Sequence, residues 1–262
     1  MIKNYGFIEP VITPEDWVLG GVGEFRGKII RSDFDWTDSF PQPEHQKNDW
    51  VDSFGCTNFG WTNAIEVFLK AVFGIDANYS DRGLAILAGN KPYGNDPHTV
   101  AEAIRGSGLL YENLLPFSQE IRTWQEWASP SPLPARLKRE AKKWRFKWSF
   151  NHDWVVNPSM KLTIKEKQDR IMEAMQYSPV CVSVRAWEQN ENGIYIKEQG
   201  AADTHWTLLG KGEQKKPWIC LDSYPEYIKK IDWYYDLNYA KRFTIADALP
   251  ISWWRKLLMY YL

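Results

Sequence analysis

The stretch Asp52-Ser53-Phe54-Gly55-Cys56-Thr57-Asn58-Phe59-Gly60-Trp61-Thr62-Asn63-Ala64-Ile65-Glu66-Val67-Phe68 decides how this chain is read. Phe59, Ile65, Val67, Phe68 and Ala71 recur near helical spacing and no proline interrupts them. Gly74 offers a C-terminal stop, so the segment predicts a helix opening near Cys56. Backbone N–H groups and the helix dipole favour a thiolate over a thiol at such a position. Two readings of Cys56 stand on this segment alone: a nucleophile, or a cysteine that packs at the helix start. The other two cysteines lie in apolar runs, Val180-Cys181-Val182 and Trp218-Ile219-Cys220-Leu221, and read as small buried hydrophobes.

Working outward, three cysteines in 262 residues make no disulfide framework and point to a reducing compartment. The opening residues lack a positive region followed by an apolar run, and no window reaches the roughly 18 apolar residues of a membrane span, so a cytoplasmic protein is expected. With 32 Lys+Arg against 33 Asp+Glu, the net charge of −1 removes the simplest electrostatic case for a nucleic-acid or anionic-membrane partner. Aromatic residues at 15% promise large buried plates, a sticky groove, or both.

Residues 1–45 carry scattered prolines and glycines and read as an N-terminal arm. Residues 46–129 read as a helical lobe, with further helices over Ser80–Leu87 and from Asp96-Pro97 to Gly106 and Gly108. Pro130, Pro132 and Pro134 mark the crossing into a lobe spanning 130–262. There a basic segment, Ala135–Lys147, and a helix at Thr163–Tyr177 precede strands at 180–184, 193–196, 205–209 and 218–221. Helices first and strands last argue for an α+β fold in two lobes with a site in the cleft between them.

Among four histidines only His205 opens an apolar strand after a polar turn, where a sheet would hold its backbone. Asp222-Ser223-Tyr224 ends the next strand, and antiparallel pairing would bring that carboxylate to the imidazole, to accept its Nδ1–H. The order Cys56, His205, Asp222 is that of a thiol nucleophile, its base and an orienting group.

These residues resemble those of the papain-like cysteine peptidases. Gly55-Cys56-Thr57-Asn58-Phe59-Gly60 with Ile65-Glu66 is similar to the family's nucleophile helix, and His205 stands 149 residues beyond Cys56, within the family's spacing. Asp35-Trp36 to Gln46 resembles the start of the mature enzyme and its oxyanion-hole glutamine. Gly94-Asn95-Asp96-Pro97 with Tyr111–Phe117, Ser178–Val184, and Trp218–Tyr224 resemble further family segments in collinear order over about residues 35–225. The resemblance implies a helical lobe facing an antiparallel, β-barrel-like lobe, and a peptidase acting through an acyl-enzyme on a polypeptide substrate. Its catalytic set would be Cys56, His205, Asp222 and Gln46, with Gly94, Asn95, Thr204 and Tyr224 binding substrate and no metal or cofactor.

Departures from the pattern carry expectations of their own. Gln46 lies ten positions before Cys56 rather than about six and must reach over an enlarged loop. Thr57 follows the cysteine where the family has Trp, Asp222 replaces Asn, and Tyr224 replaces the shielding Trp. Asn95 replaces a glycine and would place a side chain in the groove. The absence of the secreted members' disulfide cysteines and of a long propeptide before Asp35 resembles divergent bacteriophage and bacterial members.

The same triad also serves NlpC-type cell-wall peptidases and other acyl transferases, and a papain-like scaffold can act as a binding or assembly protein. The basic run Arg136–Lys147 reads as a solvated helix face, interrupted by Glu140. The aromatic tail Trp253–Leu262 reads as a dock on its own domain or an oligomer or partner contact. Gly21-Val22-Gly23-Glu24 lacks the strand–helix frame of a dinucleotide site.

Overall fold

The computed structural model describes residues 4–13, 16–18 and 28–247. The aromatic tail and Gly21-Val22-Gly23-Glu24 lie outside them.

Helix α1 spans Cys56–Phe73 and is buried from Cys56 through Leu69. Gly74 ends it in the left-handed region, at φ 64°, donating to the Lys70 carbonyl at 3.1 Å. Helix α2 (Asp81–Ala88) starts on Ser80, whose Oγ accepts from Gly83 N at 2.9 Å. Helix α3 (Pro97–Ser107) starts on Asp96 with Pro97 in its first turn. Helices α4 (Trp124–Trp127) and α5 (Ala135–Lys147) follow, and α6 (Ile164–Met175) opens with the Thr163/Glu166 capping box.

The strands are β1 (Trp148–Val156), β2 (Val180–Val184), β3 (Glu188–Gln189), β4 (Tyr195–Ile196), β5 (His205–Lys211), β6 (Trp218–Leu221), β7 (Ile228–Ile231) and β8 (Ala240–Asp247). They form one open sheet in the order β1-β8-β2-β5-β6-β7-β4-β3, antiparallel except where Tyr195 meets Ile231 in parallel. The architecture is α+β.

The apolar pattern of the sequence announces none of β1, β3, β7 and β8, and for β1, β7 and β8 the reason is chemical. Their buried positions include His152, Lys229, Lys241 and Arg242, which break the apolar alternation that identifies a strand. Strand β1 is instead fixed by pairing with β8, some 90 residues downstream, from Trp148↔Asp247 to Val156↔Ala240.

The core lies between α1 and the sheet. Trp61, Ile65 and Phe68 from the helix meet Phe150, Val182, Leu208 and Phe243, and burying each such side chain is worth roughly 1.5–3 kcal/mol. Much of the aromatic excess is spent here: Phe243 contacts Trp61, Phe68 and Phe150 with ring centroids 5.4–6.1 Å apart. At Gly60 the helix comes so close to β5 that a Cβ would sit 2.7 Å from Trp206 Cδ1. This contact sets the depth at which the start of α1 meets the start of β5.

Candidate active site

Cys56 is the first residue of α1 and His205 the first of β5. Both are fully buried. The Trp206 N–H, one residue past the histidine, hydrogen-bonds the Cys56 sulfur, as does the Thr57 N–H. Strand β6 pairs with β5 in the register Leu208↔Leu221, so Asp222, just past the end of β6, lies near the start of β5. His205 Nε2 and Asp222 Oδ2 are 2.7 Å apart.

The bond from Asp222 therefore reaches Nε2, not the Nδ1 that strand pairing alone suggests. The ring is turned so that Nδ1 is left buried and without a hydrogen-bond partner among the described residues. Burial pushes the Asp222 pKa up, but the imidazole, Lys229 and the Tyr224 N–H together outweigh it and hold the carboxylate below its usual range.

Gln46 sits on the opposite wall. Its Nε2 lies 3.1 Å from Tyr5 O, 2.7 Å from Tyr224 Oη and 3.2 Å from Asp52 Oδ1. Its Oε1 accepts from Ser223 Oγ at 2.7 Å. The enlarged loop does not displace it. Ser53 N donates to Gln46 O at 3.0 Å and Lys47 bridges Asp52, so the extra residues bulge outward and the chain returns beside Gln46. Asn48 anchors that bulge by donating to Ile121 O at 2.7 Å.

A segment of the N-terminal arm runs through this site. Tyr5 N–H donates to Thr204 O at 2.9 Å while the Tyr5 carbonyl accepts from Gln46. One residue on, Gly6 O accepts from Asn95 N at 3.0 Å, and Ile8 N donates to Asn95 O at 3.1 Å, a parallel bridge centred on Phe7 and Asn95. Gly6 has φ +110°, and a Cβ there would lie 2.1 Å from Phe54 O. Gly94, at φ +114°, leaves the room that Gly6 O occupies. Phe7 is buried, its ring parallel to Trp206 at 6.0 Å and 5.8 Å from Tyr239. A cavity of about 610 Å³ flanks the segment, lined among others by Phe7, Tyr93, Asp203 and Tyr239.

Of the eight site residues named from the sequence, Gln46, Gly94, Asn95, Thr204, His205 and Tyr224 meet this segment, Asp222 joins them through His205, and Cys56 through the Trp206 N–H. Gly94, Asn95 and Thr204 meet the segment through space or backbone, and the Tyr224 ring lies 5.5 Å from both His205 and Tyr5. Asn95 corrects one expectation. Its side chain turns away from the groove, donating to Ala88 O at 3.1 Å and accepting from Asp96 N at 2.9 Å, so it does not narrow the cleft.

Cys56 corrects another. Burial pushes its thiol well above the ordinary range, and Asp222 and Asp52 push the same way against the Trp206 and Thr57 N–H groups. The helix start alone does not make a thiolate while the arm covers the site, because desolvation is the larger effect.

Three participants were missed in the sequence. Asp52 accepts from Tyr224 Oη at 2.6 Å, Lys229 Nζ lies 3.1 Å from Asp222 Oδ1, and Tyr5 fills the cleft. None belongs to a motif that spacing exposes; each is defined by a contact across the fold.

No protein-family model and no curated protein sequence matches the chain. Solved structures do. Xylellain, a cysteine protease from Xylella fastidiosa, superposes with a TM-score of 0.65 at 12% identity, over 95% of this chain and 97% of its own. A digestive procathepsin L 3 of Tenebrio molitor larval midgut gives 0.54 at 14% identity, over 94% and 76%. A cysteine protease of Carica candamarcensis gives 0.55 at 15%, over 80% and 96%. Among the described residues no helix is long and apolar enough to cross a membrane. By its architecture, and by its likeness to these structures, the chain has the papain-like cysteine protease fold.

Proposed function

We propose that the protein is a cysteine peptidase whose cleft is closed by its own residues 4–8. The observation that carries this reading is the seating of the Tyr5 carbonyl on the Gln46 amide, beside a buried His205 whose Nδ1 is unpartnered. A peptide carbonyl there stands where a substrate carbonyl would be polarised.

In the open enzyme His205 Nδ1 takes the Cys56 proton, and the sulfur attacks the substrate carbonyl carbon. The oxygen gains the electron pair and is held by the Gln46 side-chain amide and the Cys56 backbone N–H. Collapse of this intermediate breaks the C–N bond, and the imidazolium gives its proton to the leaving amine. Water, deprotonated by His205, then hydrolyses the thioester. Asp222 keeps the ring turned so that Nδ1 is the nitrogen exchanging protons. The substrate is an extended polypeptide, bound through the backbone groups of Asn95 and Thr204 that now hold the arm.

The test is labelling by a thiol-directed inhibitor, with cleavage of an unstructured protein followed in parallel. Wild-type protein freed of residues 1–13 is expected to be labelled at Cys56 and to cleave. Cys56→Ala in the same background is expected to do neither while keeping its circular dichroism spectrum, and cleavage by that variant would refute the reading. Clearing of purified peptidoglycan without cleavage of protein would move the activity to a cell-wall peptidase.

A further inference from the structure

Asp222 stands where the resemblance called for a neutral carboxamide, and the fold answers that extra charge with a lysine. Both carboxylate oxygens are engaged: Oδ2 with His205 Nε2 at 2.7 Å, Oδ1 with Tyr224 N at 2.8 Å and with Lys229 Nζ at 3.1 Å. The Asp222 and Lys229 side chains are 0% and 1% exposed, so neither charge is screened by water. Lys229 comes from β7, opposite Cys220 of β6, at an inward position of a strand whose neighbours Ile228 and Lys230 face outward. Its ammonium has three protons and finds three acceptors: Asp222 Oδ1, Tyr224 O at 2.6 Å and Glu226 O. The Trp187 ring, 5.0 Å away, adds a favourable face to the cation.

We infer that Lys229 is a positioning residue of the candidate catalytic site, acting through Asp222: the buried pair offers His205 an acceptor oxygen without a net charge. This rests on the reading of Cys56 and His205 as the reacting pair. Without Lys229, a bare buried carboxylate would hold the imidazolium proton too firmly for transfer to a leaving amine and would oppose the thiolate. Without Asp222, the bare ammonium would do the reverse. The other titratable groups facing this pair are His45 and Asp52 from the loop before α1, Cys56, Tyr195 of β4, Cys220 of β6, and Tyr224 and Glu226 of the β6–β7 turn. His45 is held below its ordinary range by burial and supplies no cation at neutral pH in place of Lys229.

The experiment is the rate of Cys56 alkylation by iodoacetamide against pH in the full chain carrying Gly6→Ala, which forces the arm out of the cleft and serves as the parent, wild type at Asp222 and Lys229, with the labelled cysteine identified by peptide mapping. Removing a buried positive charge makes every nearby proton harder to lose, so Lys229→Met moves the midpoint of the profile up by about one pH unit. Asp222→Asn moves it down, the double variant returns close to the parent, and Lys229→Arg stays there. A folded Lys229→Met with an unmoved midpoint overturns the inference, as does a double variant no closer to the parent than Lys229→Met. If Lys229→Met fails to fold, Asp222→Asn decides: a downward shift supports the inference and an unmoved midpoint overturns it. A profile of the opened parent with no inflection from pH 4 to 9 refutes the Cys56–His205 reading, and this inference with it. An inflection indifferent to both charges refutes the role of Lys229 alone.

Discussion

At the scale of the residue, the site depends on which atom meets which. Gln46 is the sharpest case, because its Nε2 is shared by Tyr5 O, Tyr224 Oη and Asp52 Oδ1. Two anchors fix the amide, and in the proposed mechanism the Tyr5 carbonyl occupies the place of a developing oxyanion. Truncation to alanine leaves the Cys56 thiol in place but removes a donor that strengthens only as negative charge builds. Gln46→Ala is therefore expected to lower kcat by about 10²–10³, or roughly 2.7–4 kcal/mol, with little change in Cys56 alkylation. Steady-state kinetics alongside alkylation rates separate the two effects, and equal losses in both would place Gln46 in the support of the thiol instead. His205 was legible from its position at the head of a strand, but the nitrogen facing Asp222 was not. Ring orientation follows from where the β6–β7 turn delivers its carboxylate, and no spacing along the chain records that.

At the scale of the element, the arm and α1 are held by close backbone approaches that only glycine permits. A methyl at Gly6 would collide with Phe54 O at 2.1 Å, and the positive φ adds strain. Gly6→Ala is expected to expel the segment from the cleft, raising the rate of Cys56 alkylation at least several-fold and raising peptidase activity. An unchanged alkylation rate would show that the segment does not limit access. Gly60 acts on the other side. Its alanine variant pushes α1 away from Trp206, with an overpacking cost of about 1–3 kcal/mol and a displaced Cys56. Lower thermal stability together with lost activity is the expected outcome, readable by calorimetry and turnover. The start and end of α1 were readable because Gly74 and the apolar spacing are local signals. The closure of the cleft was not, since it joins Tyr5 to Thr204 and Gln46 to Tyr224 across most of the chain.

For the whole molecule, pH acts through a second cluster, on the face between β1, β8 and α3. Lys241 Nζ lies 2.9 Å from His152 Nδ1 and 3.3 Å from His98 Nδ1, and His152 Nε2 lies 2.9 Å from Glu102 Oε1. Burial, reinforced by Lys241, lowers the His152 pKa from 6.5 to about 4. Between those values the unfolded chain binds more protons, so stability is lost as pH falls from 6.5 towards 4, by about 3 kcal/mol from this group. Burial likewise lowers Lys241 to about 7, against the pull of Asp16, Asp153, Glu102 and Asp96. Its unfolded form binds more protons above that value, so its contribution makes stability rise with pH from about 7 towards 10.5. His152→Gln is expected to flatten the acid slope and Lys241→Met the alkaline one, as followed by urea unfolding at successive pH values. Slopes identical to wild type in both variants would remove this cluster from the pH response.

The sequence by itself determined that a cysteine opens a long buried helix, that most helices precede most strands, and that His205 and Asp222 lie at facing ends of neighbouring strands. These are properties of periodicity, capping residues and strand order, which act over a few neighbours along the chain. It also set the charge and cysteine count that turned attention to Cys56. Only the tertiary structure decided that Asp222 meets Nε2, that Lys229 neutralises it, that Asn95 turns out of the groove, and that Tyr5 and Gly6 fill it. Each of these depends on burial and on contacts between segments remote in sequence. Buried lysines, histidine and arginine on β1, β7 and β8 look like surface residues until the sheet closes over them, because desolvation acts only once the fold excludes water.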